Sequence, residues 1–103
     1  MPRLIWSEAS QRDIGKIDSF LDGHNPWAAA RIARAIRATA LRLVDYPRIG
    51  RPFDPPFRIL GVRKTPYLIC YRLRDGAIEI ARICHFSEDW AALSLLGSPE
   101  IEP

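Results

Sequence analysis

Lysine is almost missing from this 103-residue chain: of its 15 basic residues 13 are Arg, and Lys16 and Lys64 are the two Lys. Cysteine is as scarce. Cys70 and Cys84 make neither a C-x-x-C pair nor a Cys/His cluster of ligand spacing, so two reduced thiols and no metal site are expected. No apolar run approaches the roughly 20 residues that a membrane-spanning helix needs. The stretch before Ser7 is far too short for the apolar core of a secretory signal, so a cytoplasmic location is expected, with no membrane partner. Gly-rich phosphate loops are absent, and the serines sit in no nucleophile-elbow context, which removes support for nucleotide-binding and serine-hydrolase chemistry and leaves no cofactor implied.

What is present is an ordinary globular composition, 48% hydrophobic and 26% charged, in a length suited to one domain with a modest core. The formal charge of +3 is mild, but it is unevenly placed: the first 50 residues carry 8 cations and 5 acids, the remaining 53 carry 7 of each. A short apolar segment, Arg3 to Trp6, reads as a strand running into Ser7 as an N-cap, with Glu8 favourably placed in the first turn. A first helix should run from about Glu8 to Leu21, with Ile14, Ile17, Phe20 and Leu21 on one face and Arg12, Asp13, Lys16 and Asp18 pointing elsewhere. The sequence from Asp22 to Pro26 supplies a stop, a turn, an Asn N-cap and a Pro suited to a first helical position. From Pro26 to about Asp45 a second helix is expected. There Ala29, Ile32, Ala33, Ile36, Ala40 and Leu43 share an arc of roughly 100°, while Arg31, Arg34, Arg37 and Arg42 occupy the remainder. So short a link makes the two helices an antiparallel hairpin.

Beyond a Pro-rich ordered loop from Arg48 to Pro56, the period changes from helix to strand. Strands are expected over residues 57–64, 67–74 and 77–86, with Asp75-Gly76 as a two-residue type I′ hairpin turn. An unbroken ladder from that turn sets Arg72 opposite Glu79, Tyr71 opposite Ile80, Ile69 opposite Arg82 and Tyr67 opposite Cys84. It also puts Cys70 and Cys84 on opposite faces, which argues against a disulfide. Tyr67, Ile69, Tyr71, Leu73, Ile78 and Ile80 then form the face for the helices to cover. Ser87-Glu88-Asp89 reads as the cap of a short last helix holding Trp90, Leu93 and Leu96; residues 1–96 form the domain and 97–103 a flexible tail.

Candidate functional residues each have a structural reading beside the functional one. His85 is a proton-transfer candidate, yet it serves equally as a cap at a strand end. The basic residues of the loop and sheet, including Arg58, Arg63, Arg72, Arg74 and Arg82, can hold phosphates or an acidic partner, or simply make local pairs such as Arg72 with Glu79. The four Arg of the second helix form a solvated face or a docking surface for an acidic helix. Trp6, Trp27 and Trp90 read as seals at core edges.

Taken together, Leu43-x-x-Tyr46-Pro47-x-x-Gly50-Arg51, the strand Tyr67-Leu68-Ile69-Cys70-Tyr71-Arg72 and the ending Ala81-Arg82-Ile83-Cys84-His85-Phe86-x-x-Asp89-Trp90 resemble the RelE/ParE superfamily of type II toxins, over about residues 3–93. The resemblance implies an α+β fold, with an N-terminal strand and a helical hairpin packed on a small, mostly antiparallel sheet. The ParE branch implies a plasmid-stabilisation type of toxin that inhibits DNA gyrase by protein contact and needs no catalytic residues. Its partner would be a ParD-like acidic antitoxin in a hetero-oligomer, through which alone operator DNA is reached. Arg31, Arg34, Arg37, Arg42, Arg58, Arg72 and Arg74 are the expected recipients of that antitoxin. The RelE branch implies instead a ribosome-dependent mRNA endoribonuclease, with Arg63 and Arg82 supplying charge and His85 the proton transfer. A non-toxic binding module retaining the fold is the third alternative.

Overall fold

The computed structural model describes residues 3–22 and 25–86. Its elements run β1 (Arg3–Trp6), α1 (Glu8–Asp22), α2 (Pro26–Asp45), β2 (Arg51–Pro52), β3 (Arg58–Gly61), β4 (Tyr67–Arg74) and β5 (Ala77–His85). The expected turn at Gly23-His24, the capped last helix with Trp90, and the tail lie outside the described residues, as do the side chains of Phe20 and Leu21.

Local chemistry sets the helix starts. The Ser7 hydroxyl accepts from Ser10 N at 3.0 Å, and Glu8 lies in the first turn of α1. Asn25 accepts from Ala28 N at 3.2 Å while Pro26 occupies the start of α2. Tyr46, preceding Pro47, closes α2 by donating its backbone N–H to Arg42 O.

The sheet has the order β1-β5-β4-β3-β2. Only the β1–β5 pairing is parallel; the others are antiparallel, as a mostly antiparallel sheet requires. Asp75 (φ 51°) and Gly76 (φ 75°) both adopt the left-handed conformation that a type I′ turn demands. The expected strand over 57–64 is shorter, because Phe57 N bonds Asp54 O before it and Thr65 N bonds Val62 O after it. Within the Pro-rich ordered loop expected from Arg48 to Pro56, Arg51–Pro52 forms an added edge strand against β3.

The hairpin register holds from the turn to Tyr71↔Ile80 and then shifts by one. Cys70 pairs with Arg82, Ile69 with Ile83, Leu68 with Cys84 and Tyr67 with His85, so Ala81 is the extra residue of a β-bulge. The expected pairs Ile69–Arg82 and Tyr67–Cys84 are therefore wrong. The bulge falls where β5 loses β1 as a neighbour: β1 ends at Trp6↔Ile80, and the Ser7 hydroxyl donates to Ala81 O at 2.8 Å as the chain turns into α1. One consequence overturns the cysteine argument, since the shift puts Cys84 on the same face as Cys70. Both are thiols nevertheless, being diagonal neighbours, which such a ladder keeps about 7–8 Å apart, beyond the usual disulfide span.

The main core lies between the helices and the sheet: Ile32, Ile36, Ala40 and Leu43 of α2 meet Ile69, Tyr71, Ile78, Ile80 and Ile83, with Ile14 and Ile17 of α1 packed against it. Leu73, at the strand end, is not covered. A second, smaller cluster of Phe57, Ile59 and Cys70 covers the other face of β3 and β4.

Candidate functional site

The Tyr46-Pro47-x-x-Gly50-Arg51 phrase is a loop tied to the sheet. Tyr71 is fully buried in β4, and its hydroxyl accepts from Gly50 N and donates to Pro47 O, both at 2.9 Å. Arg58 of β3 adds a second tie, with Nη1 donating to Gly50 O at 2.7 Å and Arg48 O at 3.3 Å. A Cβ on Gly50 would stand 2.6 Å from the Tyr71 hydroxyl and 2.8 Å from Ile59 O, so only Gly permits this approach. Burial raises the Tyr71 phenol above its ordinary pKa against the opposing pulls of the Gly50 N–H and the Arg58 cation.

Separately, α1, α2 and β1 border an apolar groove of about 440 Å³, lined by Leu4, Trp6, Ile14 and Leu41 together with Gln11 and Arg37. Arg31, Arg34, Arg37 and Arg42 are exposed along α2, as their wheel positions require. Arg31 donates to Lys64 O at 3.2 Å, while among the described residues no ion pair holds Arg34, Arg37 or Arg42. The other three arginines expected on a partner-binding face lie elsewhere. Arg58 serves the loop; Arg72, its Nε 2.6 Å from Glu79 Oε1, also stacks over Phe57; Arg74 is exposed near Asp75 and Glu79.

Arg63, Arg82 and His85 occupy three different surroundings. Arg63 is exposed in the turn between β3 and β4. Arg82 is clamped by Asp13, with Nε to Oδ2 at 2.7 Å and Nη2 to Oδ1 at 3.0 Å. His85 is half-buried, edge-on to Tyr67 with ring centroids 5.4 Å apart and tilted against Phe86. Asp13 itself is 7% exposed and also accepts from Ile83 N at 2.9 Å. It belongs to the buried side of α1, not to the outward one where its charge had put it. The legible signal was spacing: Ser10, Asp13, Ile14 and Ile17 fall at i, i+3, i+4 and i+7. Among the described residues no group of three or more His, Cys, Asp and Glu is gathered where a metal could sit, and no helix is long and apolar enough to cross a membrane.

This arrangement of hairpin, sheet and tied loop has a family. Residues 4–90 match the model of the ParE toxin of the type II toxin-antitoxin system parDE. The chain belongs to the ParE toxin family. Toxin RelE2 of Caulobacter vibrioides is 33% identical over 85 residues, covering 82% of this chain and 96% of that protein. Toxin RelE1 of the same bacterium is 30% identical over 84 residues, covering 80% and 90%. Among solved structures, a chain of the chromosomal ParDE TA system from P. aeruginosa superposes with a TM-score of 0.74 at 25% identity, covering 82% of this chain and 96% of that one. The chain is thus a type II toxin of the RelE/ParE superfamily. For a toxin of this family the tied loop explains its own motif: Pro47 supplies the acceptor, Gly50 the space and the N–H, and Tyr71 the bridge.

Proposed function

We propose that this toxin acts in the cytoplasm by protein contact, inhibiting DNA gyrase, and that a ParD-like acidic antitoxin neutralises it. The observation that carries the antitoxin half is the pairing of an apolar groove with unpaired cations on one helix. Leu4, Trp6, Ile14 and Leu41 offer an apolar trough, Arg37 is part of its lining, and Arg34 and Arg42 continue the positive face along α2. An amphipathic acidic helix buries its apolar stripe in such a groove and pairs its carboxylates with the arginines. Operator DNA is then reached through the antitoxin.

Gyrase is favoured over RNA by the surroundings of the three ribonuclease candidates. Cutting a phosphodiester needs a base, an acid and cations converging on one phosphate. Here the Arg82 fork is filled by Asp13, and His85 is packed against two rings. The second reading, a RelE-like interferase, draws its support from the RelE1 and RelE2 relatives.

Gyrase supercoiling in the presence of purified toxin, run beside mRNA cleavage in a translating extract, separates the two. Inhibition of supercoiling without cleavage is expected. Ribosome-dependent cleavage that disappears in His85→Ala or Arg82→Ala would replace gyrase with mRNA.

A further inference from the structure

The loop between α2 and β2 is held to the sheet by side chains of β3 and β4. Four polar contacts reach it from the sheet: two through the Tyr71 hydroxyl and two through Arg58 Nη1. They fix the backbone and account for none of the side chains on its outer side. There Tyr46 is 60% and Ile49 42% exposed, and Arg48 and Arg51 are exposed with no ion pair among the described residues. Two hollows flank the loop. One, of about 480 Å³, lies among Tyr46, Pro47, Arg48 and Ile49; the other, of about 280 Å³, runs from Ile49 and Arg51 onto Leu60 and Leu68.

We infer that this loop is a preorganised docking site for an acidic protein surface, which places an apolar side chain beside Ile49 and carboxylates on Arg48 and Arg51. The inference rests on the gyrase reading and gives the loop to the toxin's target, leaving the α1–α2 groove to the antitoxin. Three observations carry it. Exposed Tyr and Arg are the residue types that dominate binding energy at protein interfaces, and a loop already fixed in place loses little freedom on binding. Ile49, the residue that the two hollows share, is aliphatic, as are Leu60 and Leu68 beyond it, which suits a protein side chain. Finally, the loop lies toward the β2 edge of the sheet, and the antitoxin groove borders β1 at the opposite edge. A second copy of the chain is disfavoured, because a two-fold contact would set Arg48 and Arg51 against themselves.

The test uses full-length toxin carrying Ile49→Asp with Arg48→Glu, and separately the milder Tyr46→Ala with Ile49→Ala. Binding to purified gyrase and to purified antitoxin is measured for each, with thermal melting as a folding control. The expected result is a loss of gyrase affinity of at least 10-fold, with antitoxin affinity within about 2-fold of wild type and an unchanged melt. Should the charge-reversed protein melt early, the milder pair, which adds no charge, decides between the outcomes. Wild-type gyrase binding by folded variants overturns the inference and leaves the gyrase reading intact. Loss of antitoxin binding in folded variants overturns the division of surfaces. Wild-type toxin that ignores gyrase and cleaves mRNA overturns the gyrase reading, and the inference falls with it because the target is then RNA.

Discussion

Gly50 and Tyr71 depend on each other. Gly50→Ala sets a methyl 2.6 Å from the hydroxyl, 2.7 Å from the ring and 2.8 Å from Ile59 O, and two of these neighbours are buried and cannot step aside. A loss of about 2–3 kcal/mol in urea denaturation is expected, the upper range for overpacking. Tyr71→Phe keeps the ring but strands the Gly50 N–H and one lone pair of Pro47 O, at about 1–3 kcal/mol. A Gly50→Ala protein as stable as wild type would show that the loop shifts freely. Cys70 gives a pH signature. Burial, reinforced by Asp54 and opposed by Arg82, pushes its thiol up from 9.0 to about 12. A group whose folded pKa is raised keeps its proton longer in the folded state. Its contribution is complete below about pH 9 and is lost as pH rises toward 12, at a slope approaching 1.4 kcal/mol per pH unit. Tyr71 acts in the same direction at higher pH. Cys70→Ala should therefore lose less stability than wild type between pH 9 and 11 in urea titrations; identical slopes would remove Cys70 as the cause.

At the scale of elements, α1 acts as a cap on a strand. Where β1 ends, the free edge of β5 is met by Asp13, which takes the Ile83 N–H and both forks of Arg82. Asp13→Ala uncouples α1 from that edge and leaves Arg82 half-sheltered without its acid. A cost of about 3 kcal/mol is expected by chemical denaturation, the low end for a broken buried pair because Arg82 remains about one third exposed. Asp13→Asn, which retains an acceptor for Ile83 N, should cost less; equal losses would assign the whole effect to charge. The same elements mark what a sequence can disclose. The Asn25-Pro26 start of α2, its buried arc and the Asp75-Gly76 turn were legible because each depends on residues within a turn or two. Ala29, Ile32, Ile36, Ala40 and Leu43 are buried as the wheel requires, although Ala33 is only half-buried. The bulge at Ala81, the burial of Asp13 and the small strand Arg51–Pro52 were not legible. They arise from contacts between segments up to 74 residues apart, for which local period carries no signal. At the site, the arginine stripe of α2 followed from period alone, whereas the tie between Tyr71 and the motif loop required the fold.

For the whole molecule, charge and shape divide the surface. The net positive charge of the first 50 residues is carried largely by α2, beside an apolar groove with Arg37 in its lining. Reversal of Arg31 and Arg34 to Glu should weaken antitoxin binding by well over the roughly 1 kcal/mol of an exposed ion pair, because both positions change from attractive to repulsive. Titration calorimetry at two salt concentrations checks this; an unchanged affinity would remove α2 from the antitoxin interface. The parallel pairing of Arg3–Trp6 with residues 77–80 has a consequence in time as well as in space. A ribosome makes β1 more than 70 residues before the strand it pairs with. Until β5 has emerged, β1 lacks its partner strand and β4 lacks one of its two neighbours. The parallel pairing that completes the sheet therefore forms only after residues 77–80 have been made, whatever has settled before them.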